Sequence, residues 1–171
     1  VPNGAQRRKL KPVERALAVL TIRHTTPTDY AAVNALGSAI HSADYAESEE
    51  CFTGLMQHAA SGCFVADLDG IIGYVVSFPY RLGQVYPLNS LYTPVEEPDC
   101  YYIHDLAVLP EFRGKGVATQ LARQVLAQEW PVVGLVAVNG SRGFWWKLGF
   151  RGFAVISYGG RKAEYMLRLA G

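Results

Sequence analysis

The feature that most constrains this chain lies in residues 101–138. A strand-like run (YYIHDLAVL), a proline break, a basic turn with two glycines and an amphipathic stretch lead there into a second apolar run, VVGLVAV. Pro110 ends the first strand. Gly114 and Gly116 open a helix that runs to about residue 129, with Val117, Leu121, Ala122 and Val125 on its inner face. The unbroken apolar run at 132–138 suits a strand buried on both faces. A strand–helix–strand unit of this kind returns the chain to a parallel neighbour, so a parallel pair is expected at the centre of the sheet.

The rest of the chain surrounds that unit with shorter elements. A strand is expected near residues 20–24, then a helix that starts at Thr26-Pro27 with Asp29 in its first turn and faces Val33, Leu36, Gly37 and Ile40 inward. Phe52, Leu55, Met56, Ala59 and Ala60 predict a second helix over 47–60, stopped by Gly62. CFVADLDGIIGYVVSF reads as a hairpin of strands 63–68 and 71–78 around Asp69-Gly70. A loop over 79–99 follows, long enough to be expected to serve function. After the central unit come a short helix over 141–148, ended by Gly149, and strands at 153–158 and 164–169 around a Gly-Gly turn. The order β, α, α, β, β, β, α, β, α, β, β predicts an α/β fold, a mixed and mostly antiparallel sheet with flanking helices. Residues 1–18, polar and basic, are expected to form an arm, and 19–171 one domain.

Half of the 171 residues are apolar, ample for a core. The net charge of +1 excludes a strongly basic nucleic-acid module, and no apolar run approaches the roughly 18 residues of a membrane span. Cys51, Cys63 and Cys100 are too few and too scattered for a disulfide framework or a zinc cluster, so a cytoplasmic protein without a metal is the expectation. The near-neutral sum conceals a gradient. Eleven acids face one base between residues 40 and 111, whereas nine bases face two acids from residue 112 onward. Two binding surfaces of opposite sign would produce such a split, and so would chance distribution over a folded surface.

Residues 106–119, LAVLPEFRGKGVAT, bring Arg113, Lys115 and the free N–H groups of a helix N-terminus to one point, which suits a phosphate or pyrophosphate. A Walker loop is excluded because Gly116, not Ser or Thr, follows Lys115, and a dinucleotide G-x-G-x-x-G because Thr119 stands in place of the third glycine.

These residues resemble the GCN5-related N-acetyltransferase (GNAT) superfamily, whose signature is Arg or Gln, two residues, Gly, one residue, and Gly or Ala. Here it is carried by Arg113, Gly116 and Ala118 after the strand residues Leu106, Ala107 and Val108. A second element, Asn after the next strand and then F-Y-x-K-x-G-F, is matched by Asn139 and FWWKLGF at 144–150. The resemblance covers about residues 20–169. It implies acetyl-coenzyme A as donor, with its pyrophosphate on the N–H groups of Gly114, Lys115, Gly116, Val117, Ala118 and Thr119. It also implies that the pantetheine arm pairs with the strand edge at Ala107 and Val108, that the Val108 N–H serves as oxyanion donor, and that Asn139 contacts the arm. Trp145 stands where the family carries a Tyr that protonates the departing thiolate. An indole cannot do so at neutral pH, and Trp145 is expected to pack on the arm.

An amine acceptor must lose a proton before it attacks. His104 is the expected base, with Tyr102 on the same strand face, because some family members carry histidines at both matching positions. The bland alternative for His104 is a buried histidine satisfied by a neighbour such as Asp105. An acyl-enzyme on Cys100 is disfavoured, since Glu96, Glu97 and Asp99 would raise its pKa. The acceptor site is expected between the first two helices and the 79–99 loop. Asp44, Glu47, Glu49, Glu50, Glu96, Glu97 and Asp99, with Tyr45, Tyr80, Tyr86 and Tyr92, would attract a small cationic amine there. A peptide N-terminus or protein lysine is the other acceptor class. A regulatory module that binds acyl-coenzyme A without turnover is the non-enzymatic alternative. Neither nucleic acid nor membrane is an expected partner, and a second copy of the chain is allowed.

Overall fold

The computed structural model describes residues 19–170. The expected arm at 1–18 therefore lies outside the described residues. Strands β1 (Thr21–His24), β2 (Cys63–Asp67), β3 (Ile71–Tyr80), β4 (Cys100–Val108), β5 (Val132–Ala137), β6 (Arg151–Tyr158) and β7 (Arg161–Leu169) form one sheet in the order β1-β2-β3-β4-β5-β7-β6. Every pairing is antiparallel except that of β4 with β5, the parallel pair expected at the centre. Four helices cover it: α1 (Tyr30–Ile40), α2 (Glu49–His58), α3 (Val117–Leu126) and α4 (Arg142–Lys147).

The sheet separates two cores. On one face Leu121 and Val125 of α3 and Trp145 of α4 pack against Val75, Tyr101, Ile103 and Val108. On the other, Val33 and Leu36 of α1 and Phe52 and Leu55 of α2 pack against Val65, Tyr74, Phe78, Tyr102 and Tyr165.

Several boundaries depart from the expected ones: a 3-10 turn (Pro27–Asp29) precedes α1, α2 ends at His58, and β6 and β7 start earlier, at Arg151 and Arg161, while three further shifts have local reasons. The second helix starts at Glu49, not 47, because the Ser48 side chain accepts the Cys51 N–H (3.2 Å) and fixes the first turn there. Residues 41–48 are thus a loop, from which His41 and Glu47 reach β4 and Asp44 reaches Arg161. β3 continues through Pro79 to Tyr80, paired with Tyr101 and Cys100, which shortens the following loop to 81–99. α3 ends at Leu126 rather than near 129, where Glu129 takes a left-handed φ of 54°.

Candidate active site

The site begins where the parallel strands separate. β4 and β5 pair only as far as Ile103 and Leu135. Beyond that point β4 stays with β3 through Val108, and β5 stays with β7 through Ala137. Between them opens a cleft of about 600 Å³, walled by residues 103–108 on one side and by Leu135, Val136, Val138 and Asn139 on the other, with Phe144 and Trp145 beside them.

A β-bulge shapes the β4 wall. Val76 pairs with Asp105 and Ser77 with Ile103, leaving His104 without a partner residue. One extra residue reverses the alternation of faces. Tyr102 and Ala107, five positions apart, consequently lie in the same core, and Ile103 and Val108 both lie in the opposite one. The edges follow as well. The Leu109 N–H donates to Ile72 on the β3 side (2.9 Å). By the two-residue period the N–H groups of Leu106 and Val108 point to the other side, into the cleft. The Val108 carbonyl, which shares that side, accepts the Arg113 Nε–H at 2.9 Å and holds the guanidinium at the cleft wall.

At one end the chain turns from β4 into α3. Gly114 (φ 71°) and Gly116 (φ 84°) are left-handed, and a Cβ on either would meet nothing, so backbone conformation rather than space requires glycine at both. Gly116 caps α3, and the first helical acceptor is its own carbonyl, bonded by the Gln120 N–H. The N–H groups of Val117, Ala118 and Thr119 therefore have no partner within the helix. Arg113 and Ala118 line the cleft, while the Val117 side chain turns into the core. Lys115 reaches back to the Glu111 carbonyl. Asn139 holds a left-handed φ of 51° just after β5, a conformation asparagine tolerates better than most residues. Trp145 is buried between Phe144 and Phe150 with one side to the cleft.

At the other end the structure changes the expected cast. The His104 side chain is only 1% exposed. Its Nε2 lies 2.6 Å from Glu47 Oε2 in the 41–48 loop, so the partner is Glu47 and not Asp105; the residue borders the cleft, and its Nδ1 is buried without a hydrogen-bond partner among the described residues. Tyr102 shares its face but is 1% exposed among Phe78, Tyr80 and His104, and it does not line the cleft. Asp105 instead accepts two hydrogen bonds at Oδ2, from His41 Nε2 (2.8 Å) and from the Tyr74 hydroxyl (2.5 Å). Burial would raise the Asp105 pKa, yet the bonds from His41 and Tyr74 hold it below the usual carboxylate range. Burial likewise opposes charge on His41, but the Asp105 carboxylate outweighs it and raises its pKa above the ordinary value.

The acids expected to form one wall are dispersed. Glu49 and Glu50 sit exposed in the first turn of α2, Asp99 accepts the Leu82 N–H, Asp44 pairs with Arg161 (2.5 Å), and Glu96 and Glu97 are exposed. Of them only Glu47 approaches the cleft, through its contact with His104, whereas Asp105, not among them, lines it. Cys100 is fully buried, and its thiol is pushed up to about 11, chiefly by burial and only secondarily by Asp99. No described group of three or more His, Cys, Asp or Glu residues could hold a metal ion, and no described helix is long and apolar enough to cross a membrane.

The profile of the Acetyltransferase (GNAT) family matches residues 29–150, which contain the whole cleft. The chain belongs to this family. Among solved structures, the GNAT domain is similar to Ard1 from Thermoplasma volcanium, with a TM-score of 0.70 at 20% identity, covering 88% of this chain and 97% of that one. It is also similar to Arabidopsis thaliana Naa50 in complex with a bisubstrate analogue, CoA-Ac-MVNAL (TM-score 0.67, 15% identity, 87% and 97% covered). A third is a GNAT family acetyltransferase from Brucella melitensis in complex with acetyl-CoA (TM-score 0.59, 19% identity, 89% and 88% covered). At these identities the likeness is one of fold. Comparison with curated protein sequences finds no match.

Of the residues that the sequence motifs singled out, Leu106, Ala107, Val108, Arg113, Ala118, Asn139 and Trp145 line the cleft, whereas Gly114, Lys115, Gly116, Val117 and Thr119 do not. His41 and Tyr74 were missed. Nothing in the sequence marks His41 beyond its position just after an amphipathic helix, and its approach to Asp105 depends on the bulge.

Proposed function

We propose that this GNAT protein is an acetyl-CoA-dependent N-acetyltransferase acting on a primary amine of a small cationic molecule, by direct attack in a ternary complex. The observation that carries this reading is the free β4 edge. Two cleft-facing N–H groups, of Leu106 and Val108, lie between a helix N-terminus at one end and two histidine–carboxylate pairs at the other. In this reading the pyrophosphate rests on the N–H groups of 114–119 with Arg113, where unpaired donors and the helix dipole favour an anion. The pantetheine arm adds to the Leu106–Ala107–Val108 edge, against Asn139 and Trp145. The acetyl carbonyl meets the Val108 N–H, which stabilises the charge that develops on oxygen as the amine attacks.

Glu47 and Asp105 favour a cationic acceptor, because two carboxylates beside the reacting centre attract an ammonium group. Direct transfer is favoured over an acyl-cysteine by the burial and raised pKa of Cys100. A tryptophan at position 145, where many relatives place an acidic phenol, favours a second reading as a module that binds acyl-coenzyme A without turnover. The likeness to a structure holding a peptide-bearing analogue keeps peptide amines in the assay. A cytoplasmic location accords with the three unpaired cysteines. Thiol release from acetyl-CoA with a panel of polyamines, amino sugars, amino-acid amines and short peptides tests the proposal. Turnover confined to small cations supports it. Binding of acetyl-CoA without turnover of any amine overturns it.

A further inference from the structure

We propose that His41, held by Asp105, is the general base that deprotonates the acceptor amine, and that His104 positions the loop carrying Glu47. This inference rests on the acetyltransferase reading above and deepens it.

Accessibility separates the two histidines. Both residues border the cleft and each has its Nε2 on a carboxylate, but the His104 side chain is 1% exposed whereas the His41 side chain is 17% exposed. His41 is fixed from both directions. Its backbone N–H caps α1 by donating to the Gly37 carbonyl (2.9 Å), and its Nε2 meets Asp105 Oδ2 at 2.8 Å. A carboxylate accepts there, so Nε2 carries the hydrogen and Nδ1 keeps the lone pair. That Nδ1 has no hydrogen-bond partner among the described residues, which is equally true of His104 Nδ1, so it is exposure and not the unpartnered atom that separates the two rings. An orphaned acceptor at the wall of a ligand cleft is costly unless a ligand donates to it. An ammonium donor meets that need.

The bulge at His104 makes the dyad. By turning Asp105 to the α1 face it sets the carboxylate one position beyond the buried His104–Glu47 pair and two before Ala107, whose neighbours Leu106 and Val108 present the free N–H groups. Tyr74, donating to the same Oδ2 at 2.5 Å, prevents the carboxylate from rotating away.

The step balances as follows. His41 Nδ1 takes one proton from the ammonium, and the imidazolium is stabilised by Asp105. The amine lone pair then forms the C–N bond at the acetyl carbonyl carbon, and the thioester C–S bond breaks. The second amine proton passes to the coenzyme A thiolate, which leaves as the thiol. His41 returns its proton to solvent through the cleft.

The groups facing His41 are Asp105 and His104 from β4, Tyr74 from β3, Tyr45 and Glu47 from the 41–48 loop, and Arg113 from the turn before α3. Asp105 and Glu47 favour its cationic form, and Arg113 opposes it. The rate should therefore rise with pH along a limb set by His41, and losing the Asp105 charge should move that limb to lower pH.

The test is the pH dependence of kcat/KM for the full chain and for H41Q, D105N and H104Q, with acetyl-CoA affinity measured for each. H41Q is expected to lower kcat/KM by about 10²- to 10⁴-fold and to abolish the ascending limb, with acetyl-CoA affinity kept within about twofold. D105N should retain the limb at lower pH, and H104Q should retain it whatever its rate. An NMR titration of the His41 ring in the unsubstituted protein and in D105N reads the same coupling without turnover. Amine turnover in which H41Q keeps the limb overturns the base assignment alone, as does a His41 titration that D105N leaves unmoved. Acetyl-CoA binding with no amine turned over overturns the acetyltransferase reading and this inference with it.

Discussion

Replacing Gly37 by alanine should destabilise the protein, and the same replacement should stabilise it once Tyr74 is phenylalanine. Gly37 lies buried on the face of α1 that meets β3, and a Cβ there would stand 2.8 Å from the Tyr74 hydroxyl oxygen. Ordinary contact begins at 3.4 Å, so the hydroxyl must retreat by roughly half an ångström. Tyr74 is 1% exposed and bonded to Asp105, which leaves its ring no free direction. Overpacking of this kind costs about 1–3 kcal/mol. Against it stands the helix propensity of alanine over glycine, worth about 1 kcal/mol. G37A alone should therefore lose about 0–2 kcal/mol, and kcat/KM should fall as the displaced hydroxyl loosens Asp105.

Y74F removes the oxygen, and the next atom, Cζ, is 3.7 Å away in comfortable contact. Y74F by itself should cost about 1–3 kcal/mol by leaving a hydrogen bond of Asp105 unmade. In that background G37A should gain about 0.5–1 kcal/mol from propensity alone. Urea denaturation of the four proteins at pH 7, followed by fluorescence and circular dichroism together, gives the cycle. A coupling of about 2 kcal/mol with a change of sign is expected. Additivity to within about 0.5 kcal/mol would refute the packing argument, because residues without a shared clash behave independently.

Other expectations follow from the same geometry. R113A should weaken acetyl-CoA binding about 10- to 100-fold by calorimetry, the worth of one charge-assisted phosphate contact, and unchanged affinity would remove Arg113 from the donor site. C100A should keep kcat/KM within about twofold, and Cys63 and Cys100 in the native protein should resist a thiol reagent at pH 8. Burial pushes their thiols up to about 12 and about 11. Asp29 is held well below the usual carboxylate range by its hydrogen bonds from Arg23, so its contribution is complete above the unfolded value near 3.8 and is lost as pH falls below it. Acid titration of D29N should therefore show a shallower loss of stability below pH ~4 than the unsubstituted chain, and superimposable curves would contradict the assignment.

The end of the cleft at the turn before α3 was legible because its residues are local in the chain. A proline stop, two glycines forced into left-handed φ, Arg113 and an uncapped helix start all fall within a dozen residues, so spacing alone places free N–H groups and positive charge together. The seven strands and the central parallel pair were legible for a similar reason, since apolar periodicity and turn residues fix elements and a strand–helix–strand crossover has one hand, whereas the place of β7 between β5 and β6 was not. The end of the cleft at His41 and His104 was not, because its contacts span long separations. Glu47 meets His104 across 57 residues, and His41 meets Asp105 across 64.

What decided between those histidines was one unpaired residue on β4. Strict alternation keeps His104 and Leu106 on one face; the bulge sends Leu106 to the other and turns Asp105 toward α1, beside His104. A bulge is a property of how two strands fit, set by the packing of both faces, and no residue type in YYIHDLAV announces it. The sequence by itself therefore determined the elements of the fold and brought a basic turn and an open helix start together in the chain. Only the tertiary structure decided which imidazole is sealed against a glutamate and which, paired with Asp105, keeps part of its surface open at the cleft.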